Sequence, residues 1–261
     1  MREKIYKIIL AISLIVIVVA SVNIFLLSRE YRAGINEYEN LEQYVEVVEE
    51  PIETDKAQEE LKSEVKESMI PVSLDIDFDE LKNINGDLVG WLYYAPLEIS
   101  YPIVRGNDNE YYTQYTFEQE KNSSGAIFMD FLNRTDLTDC NTIIYGHNMR
   151  NGTMFGSLKK LLSDESYVEE DPYFYIFTED KACMYEIASI YITNEESDTY
   201  NLIETEEDQK EYIDYILEAS SWLWEKEITP QDKIVTLSTC HGLHSTNRTV
   251  VHGVLIASED R

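Results

Sequence analysis

The sequence predicts a mainly β protein, a closed eight-stranded barrel carried behind a single membrane-spanning helix, and three observations predict it. Eight short runs rich in Val, Ile, Tyr and Thr are spread from Val89 to the C-terminus with turn residues between them, a number that closes a small barrel. Only two longer stretches in that region carry a helical repeat. Near the amino terminus, residues 8–27 contain no charge and only Ser13, Ser21 and Asn23 as polar side chains, which is the length of an apolar helix that crosses a bilayer.

Taken in order, residues 1–7 form a short N-terminal segment whose Arg2, Lys4, Lys7 and terminal amine outweigh Arg29 and Arg32 beyond the apolar run. That bias predicts a cytoplasmic N-terminus. Residues 8–27 read as an uncleaved signal anchor, because the apolar region of a cleaved signal peptide is shorter and the small-residue site around Ala20 is poor. A single-pass protein with its bulk on the extracellular face follows. Residues 28–71 turn acidic, with Glu42, Glu46, Glu49, Glu50, Glu59, Glu60, Glu64 and Glu67, and the only apolar spacing is that of Tyr38, Leu41, Val45 and Val48. The spacing admits a short helix, self-associating or not; the simpler expectation is a solvated, partly helical stalk without chemistry.

Residues 72–261 are expected to form the folded domain. Asp77 and Glu80 stand at capping-box spacing ahead of Phe78, Leu81 and Ile84, and Gly86 stops the helix they begin. Strand patterns follow at 89–94, 99–104, 126–131, 142–145, 173–177 and 184–193. Helical interruptions are expected at 155–162 and at 206–224, where Ile213, Ile216, Leu217, Ser220 and Trp224 share one face of a long helix. The last two strands flank Cys240: alternation around Ile234, Thr236 and Ser238 delivers the thiol, and Arg248 opens the strand of Val250, Val251 and Val254, with Gly242 and Asn247 as turn residues between.

Composition bounds the function. The chain has 261 residues, of which 44% are hydrophobic and 19 are tyrosines, enough for a sizeable packed core. Its formal net charge of −29 repels nucleic-acid backbones and anionic headgroups, so no nucleic-acid partner is expected. Three cysteines, Cys140, Cys183 and Cys240, cannot all pair and do not make a disulfide framework. A Cys140 to Cys183 bridge stays open, since sequence carries no geometry.

The chemistry-bearing residues each admit a bland reading. A cysteine at a strand end is commonly a buried small hydrophobe; as a nucleophile it needs a cation or base nearby, because an unperturbed thiol with a pKa of about 8.5 is only a few per cent thiolate at pH 7. Arg248 supplies a permanent cation eight residues on. His147, in the segment NTIIYGHNM, follows a strand end and so falls at a barrel rim, as a site histidine or as a structural turn residue. His241 and His244 with Cys240 suggest zinc, but no fourth ligand has suitable spacing and the turn is too short to aim three groups inward. His252 lies within a strand and is expected to pack.

Together, YGHN at 145–148, TLSTC at 236–240 and RTVVHG at 248–253 resemble the sortases, membrane-anchored cysteine transpeptidases of Gram-positive bacteria, and among them class B. IDFDELKNINGDLVGWL at 76–92, YPIVRGNDNEYY at 101–112, GAIFMD at 125–130 and MFGSL at 154–158 extend the likeness from about Asp75 to the C-terminus, and the long helix before the final two strands matches a class B insertion. The resemblance implies a sortase-type barrel with Cys240 as nucleophile, His147 as general acid and base, and Arg248 as the donor to substrate carbonyl and oxyanion. It further implies that Tyr145, Ser238 and Thr239 line the peptide groove, where the plain alternative is packing or strand capping. Its partners would be secreted proteins bearing a C-terminal sorting signal, cut after Thr and passed from a thioester to a peptidoglycan cross-bridge or pilin amine. No metal or organic cofactor is implied. Two other outcomes stay open: an endopeptidase whose thioester is resolved by water, and a surface interaction module without catalysis.

Overall fold

The computed structural model describes residues 2–48, 70–201, 203, 205–221, 227–241 and 245–261. Helix α1 (Arg2–Leu41) opens the chain. Among the described residues, its large apolar side chains from Ile5 to Leu27 are exposed, none of them covered by the rest of the protein, and the segment is long and apolar enough to cross a membrane. Strands β1 (Val45–Val48) and β2 (Ser73–Ile76) then pair antiparallel as a small separate sheet. Helix α2 (Phe78–Ile84) starts where the sequence signals it: the Asp77 carboxylate caps the Glu80 N–H at 3.0 Å, and Phe78 and Leu81 point inward.

Eight strands close the barrel: β3 (Leu88–Tyr94), β4 (Ile99–Val104), β5 (Ile127–Met129), β6 (Asn141–Tyr145), β7 (Tyr173–Phe177), β8 (Lys181–Asn194), β9 (Ile234–Cys240) and β10 (Asn247–Asp260). Their spatial order is β10-β8-β7-β3-β4-β5-β6-β9, with β9 returning to β10. Two neighbouring pairs are parallel, β4 with β5 and β6 with β9; the others are antiparallel. The interior is apolar and dense, with Trp91, Leu92, Ile103, Ile127, Ile144, Phe174 and Ile176 at 1% exposure or less, so the barrel is a filled core and closure leaves no strand edge unpaired. Helix α5 (Glu206–Ala219), begun by a Thr205 and Asp208 capping box, seals one side by packing Tyr212, Ile213 and Ile216 against Ala188 and Tyr191 of β8, Ile234 of β9 and Val250 and Val254 of β10.

The structure redraws three expectations. The stretch read as a solvated stalk from residue 28 is not one throughout: Glu37, Tyr38 and Leu41 are buried and the two latter join the main core, while Val45–Val48 completes the small sheet. The folded body therefore begins well before residue 72; residues 49–69 lie outside the described ones. The helix expected at 155–162 is a run of tight turns, followed by α3 (Lys160–Ser163) and α4 (Ser166–Glu170). Phe155, Leu158 and Leu161 are buried three residues apart, and the chain meets that period of three with i to i+3 bonds, Leu158 N to Phe155 O at 3.2 Å and Leu161 N to Leu158 O at 3.1 Å. The long helix ends at Ala219, capped at Ser220, with Leu217 partly buried on its predicted face; Trp224 and Gly242 fall outside the described residues.

His252 packs, as its strand position suggests. Fully buried, it holds Thr236 Oγ1 at 2.9 Å from Nδ1 and Tyr191 Oη at 3.1 Å from Nε2. Thr236 gives its own proton to Asn141 Oδ1 at 2.7 Å, so its oxygen accepts from the ring, and burial pushes the His252 pKa down to about 3. The three cysteines are free, leaving Cys140 and Cys183 unbridged.

Candidate active site

The barrel's hydrogen-bond register, rather than any one loop, assembles the site. Strands β6 and β9 run parallel with Tyr145 opposite Ser238, and Gly146 N continues the ladder to Ser238 O at 3.1 Å. Two residues beyond that pair, the chain reaches His147 on one strand and Cys240 on the other. On the far side of β9, antiparallel β10 sets Arg248 directly opposite Cys240. Imidazole, thiol and guanidinium thus leave three adjacent strand ends, each step about 4.8 Å wide. All three are half-buried and line one cleft of about 340 Å3.

Each group is held from behind. His147 Nε2 lies 2.6 Å from Thr113 O; a carbonyl only accepts, so Nε2 carries hydrogen and Nδ1 is the nitrogen left to exchange a proton. The next residue, Asn148, donates through Nδ2 to Cys240 O at 2.6 Å and so ties the histidine turn to the nucleophile strand. The Arg248 fork donates to Ser245 O at 2.9 Å, to Asn247 O at 3.3 Å and to the Glu195 carboxylate. Five N–H donors exceed these three acceptors, so the fork keeps capacity for a substrate oxygen.

The residues expected to form the groove all line the cleft, with distinct surroundings. Tyr145 donates to Asp130 Oδ2 at 2.9 Å, and burial followed by the Asp130 charge pushes its phenol well up, so it stays a protonated donor. Ser238 is buried, its hydroxyl 2.7 Å from Tyr200 Oη; Thr239 is buried and its Oγ1 has no hydrogen-bond partner among the described residues. Tyr200 stacks on Tyr145 with ring centroids 6.3 Å apart, and burial raises its phenol too. Tyr200, Glu195, Asn109 and Thr113 are wall residues that sequence reasoning missed. Tyr200 and Glu195 lie in the irregular stretch between β8 and α5, where neither a period of two nor of 3.6 marks an inward face. His241 turns away from the cleft, with Nδ1 2.9 Å from Thr249 Oγ1, while His244 is outside the described residues.

A closed barrel with a thiol, an imidazole and a guanidinium at one mouth has the form of a cysteine acyl-transfer enzyme, and comparison with known proteins specifies which. The sortase domain model matches residues 95–256. Sortase B of Listeria monocytogenes is 35% identical over 183 residues, 68% of this chain and 73% of that protein, and sortase B of Staphylococcus aureus is 30% identical over 225 residues, 84% and 90%. The crystal structure of Bacillus anthracis sortase B in complex with AAEK1 superposes with a TM-score of 0.68 at 29% identity, covering 87% of this chain and 98% of that one. A Staphylococcus aureus sortase B-substrate complex gives 0.64 at 31% identity over 69% and 84%. The chain belongs to the sortase family of cysteine transpeptidases, and within it to class B.

Proposed function

We propose that this sortase is membrane-anchored through residues 8–27, faces the cell exterior, and cuts a C-terminal sorting signal after its Thr, passing the acyl part to a peptidoglycan cross-bridge or pilin amine. The observation that carries the proposal is the shared cleft onto which Cys240, His147 and Arg248 open from neighbouring strand ends.

In the forward step the Cys240 thiolate attacks the Thr carbonyl carbon, and the oxygen that takes the electron pair is met by the Arg248 N–H donors. The His147 imidazolium gives its proton to the leaving amine as the C–N bond breaks, which leaves a thioester and neutral imidazole. An acceptor amine then attacks the thioester, His147 takes its proton, and the C–S bond breaks to restore thiolate and imidazolium. The Nε2 contact with Thr113 O holds the ring while Nδ1 carries the proton in both directions. Tyr145, Tyr200, Ser238 and Thr239 supply a peptide-lining wall of ring faces and hydroxyls.

Product analysis by mass spectrometry with a sorting-signal peptide and added glycine or diamino-acid peptides tests this. Joined products are expected; hydrolysed peptide alone under every condition would replace transfer with the endopeptidase reading. Full cleavage by Cys240→Ala would remove the thioester itself.

A further inference from the structure

The C-terminal turns of α1 lie along the loop of residues 113–126. Glu30 O accepts from Asn122 Nδ2 and Glu30 Oε1 from Ser123 N, both at 2.9 Å, and Glu37 Oε1 accepts from Glu118 N at 2.9 Å. Tyr38 Oη donates to Gly125 O at 2.7 Å and accepts from Phe117 N at 3.3 Å. Between these contacts Gly34 sits so close that a Cβ there would stand 2.8 Å from Ser124 Oγ.

This same loop cradles the imidazole. Thr113 O meets His147 Nε2 at 2.6 Å, and Gly125, at φ +56, lies so near that a Cβ would approach His147 Cδ2 to 2.9 Å. Tyr38 also reaches the turn on the other side of His147. Its ring meets Tyr101 edge-on at 5.4 Å, Tyr101 Oη accepts from Met154 N at 3.1 Å, and the next residue, Phe155, donates its N–H to His147 O at 3.0 Å. One buried tyrosine on the helix that continues from the apolar span therefore braces both segments that fix the ring.

We propose that Tyr38 is a positioning residue for His147, so that the helix leaving the membrane forms part of the catalytic apparatus as well as the tether. The inference rests on the reading of His147 as general acid and base. Removing the Tyr38 hydroxyl leaves Gly125 O and the Phe117 N–H without that partner at a buried junction, and Gly125 shifts to recover one. A misplaced acid slows proton transfer without weakening peptide binding in the cleft.

The test uses full-length protein in detergent micelles, a fluorogenic sorting-signal peptide, and the variants Tyr38→Phe, His147→Ala and the double variant. Tyr38→Phe is expected to lower kcat about tenfold with KM nearly unchanged and to displace the pH profile of kcat. In the His147→Ala background the same change should add nothing. Gly34→Leu, which lifts the helix off the loop with Tyr38 intact, should reproduce the loss. Unchanged kcat and pH profile in Tyr38→Phe, or an equal loss in both backgrounds, would overturn the proposal. Wild-type cleavage by His147→Ala would sink the role of the histidine instead; NMR titration of the His147 ring then decides positioning alone, a displaced titration in Tyr38→Phe supporting it and an identical one overturning it.

Discussion

Arg248 shows why residue type matters more than charge at this site. Its fork meets two backbone carbonyls and the Glu195 carboxylate in different directions and retains donors toward the cleft. A lysine keeps the charge but offers a compact ammonium without that planar geometry. Arg248→Lys is therefore expected to lose most cleavage activity, on the order of 100-fold in kcat/KM, with little change in folding; near-normal turnover would contradict the proposed oxyanion role. His252 makes the opposite case, a histidine whose effect is on stability. Its folded pKa of about 3 lies below the ordinary 6.5, so between those values the unfolded chain binds a proton that the folded chain refuses. Stability is complete above pH 6.5 and declines as pH falls, by about 1.4 kcal/mol at pH 5.5 from this residue. Urea midpoints at pH 7.5 and 5.5 check the slope, which His252→Gln should flatten.

At the scale of elements, the parallel pairing of β6 with β9 carries the most information, since it brings the histidine turn to the thiol. Most strands could be read directly, because alternating β-branched and aromatic residues bounded by turn chemistry leave few alternatives, as in β3, β4, β7 and β9. Cys240, His147 and Arg248 could be picked out for a related reason: each ends, follows or opens such a strand. The turns at 151–159 could not, because burial every third residue imitates a helix. Tyr38 and Leu41 read as part of a stalk because the surrounding acidic composition outweighs two apolar positions, and nothing local reveals that the loop at 113–126 receives Tyr38 or that Leu41 joins the core. Packing between elements also sets limits on sequence. Gly253 on β10 has no room for a side chain: a Cβ would lie 2.3 Å from the fully buried Phe174 ring. Gly253→Ala should cost about 1–3 kcal/mol in chemical denaturation, while the surviving folded fraction still cleaves substrate; unchanged stability would mean that β7 yields more readily than its packing suggests.

For the whole molecule, charge and the proposed anchor define where the enzyme can work. An apolar helix with exposed side chains continues without a break into turns that are buried against the barrel, so under the proposed anchoring the cleft stays close to the bilayer surface. The net charge of −29 keeps the body off anionic lipid. The proposed orientation predicts that protease added to intact cells degrades the barrel and spares only an N-terminal fragment containing residues 8–27, detectable by an N-terminal tag. Protection of the whole chain would place the cleft on the other side.

The order in which the barrel's neighbours occur along the chain has a consequence for biogenesis. Asn148 and Cys240 touch across β6 and β9 although 92 residues separate them, and both β7–β8 and α5 are made in between. Contacts of such long range form late in folding. On the proposed roles and orientation, a nascent polypeptide still threading outward therefore has its sulfur and its proton carrier in unconnected regions, and proteolytic competence arises only with the final seam.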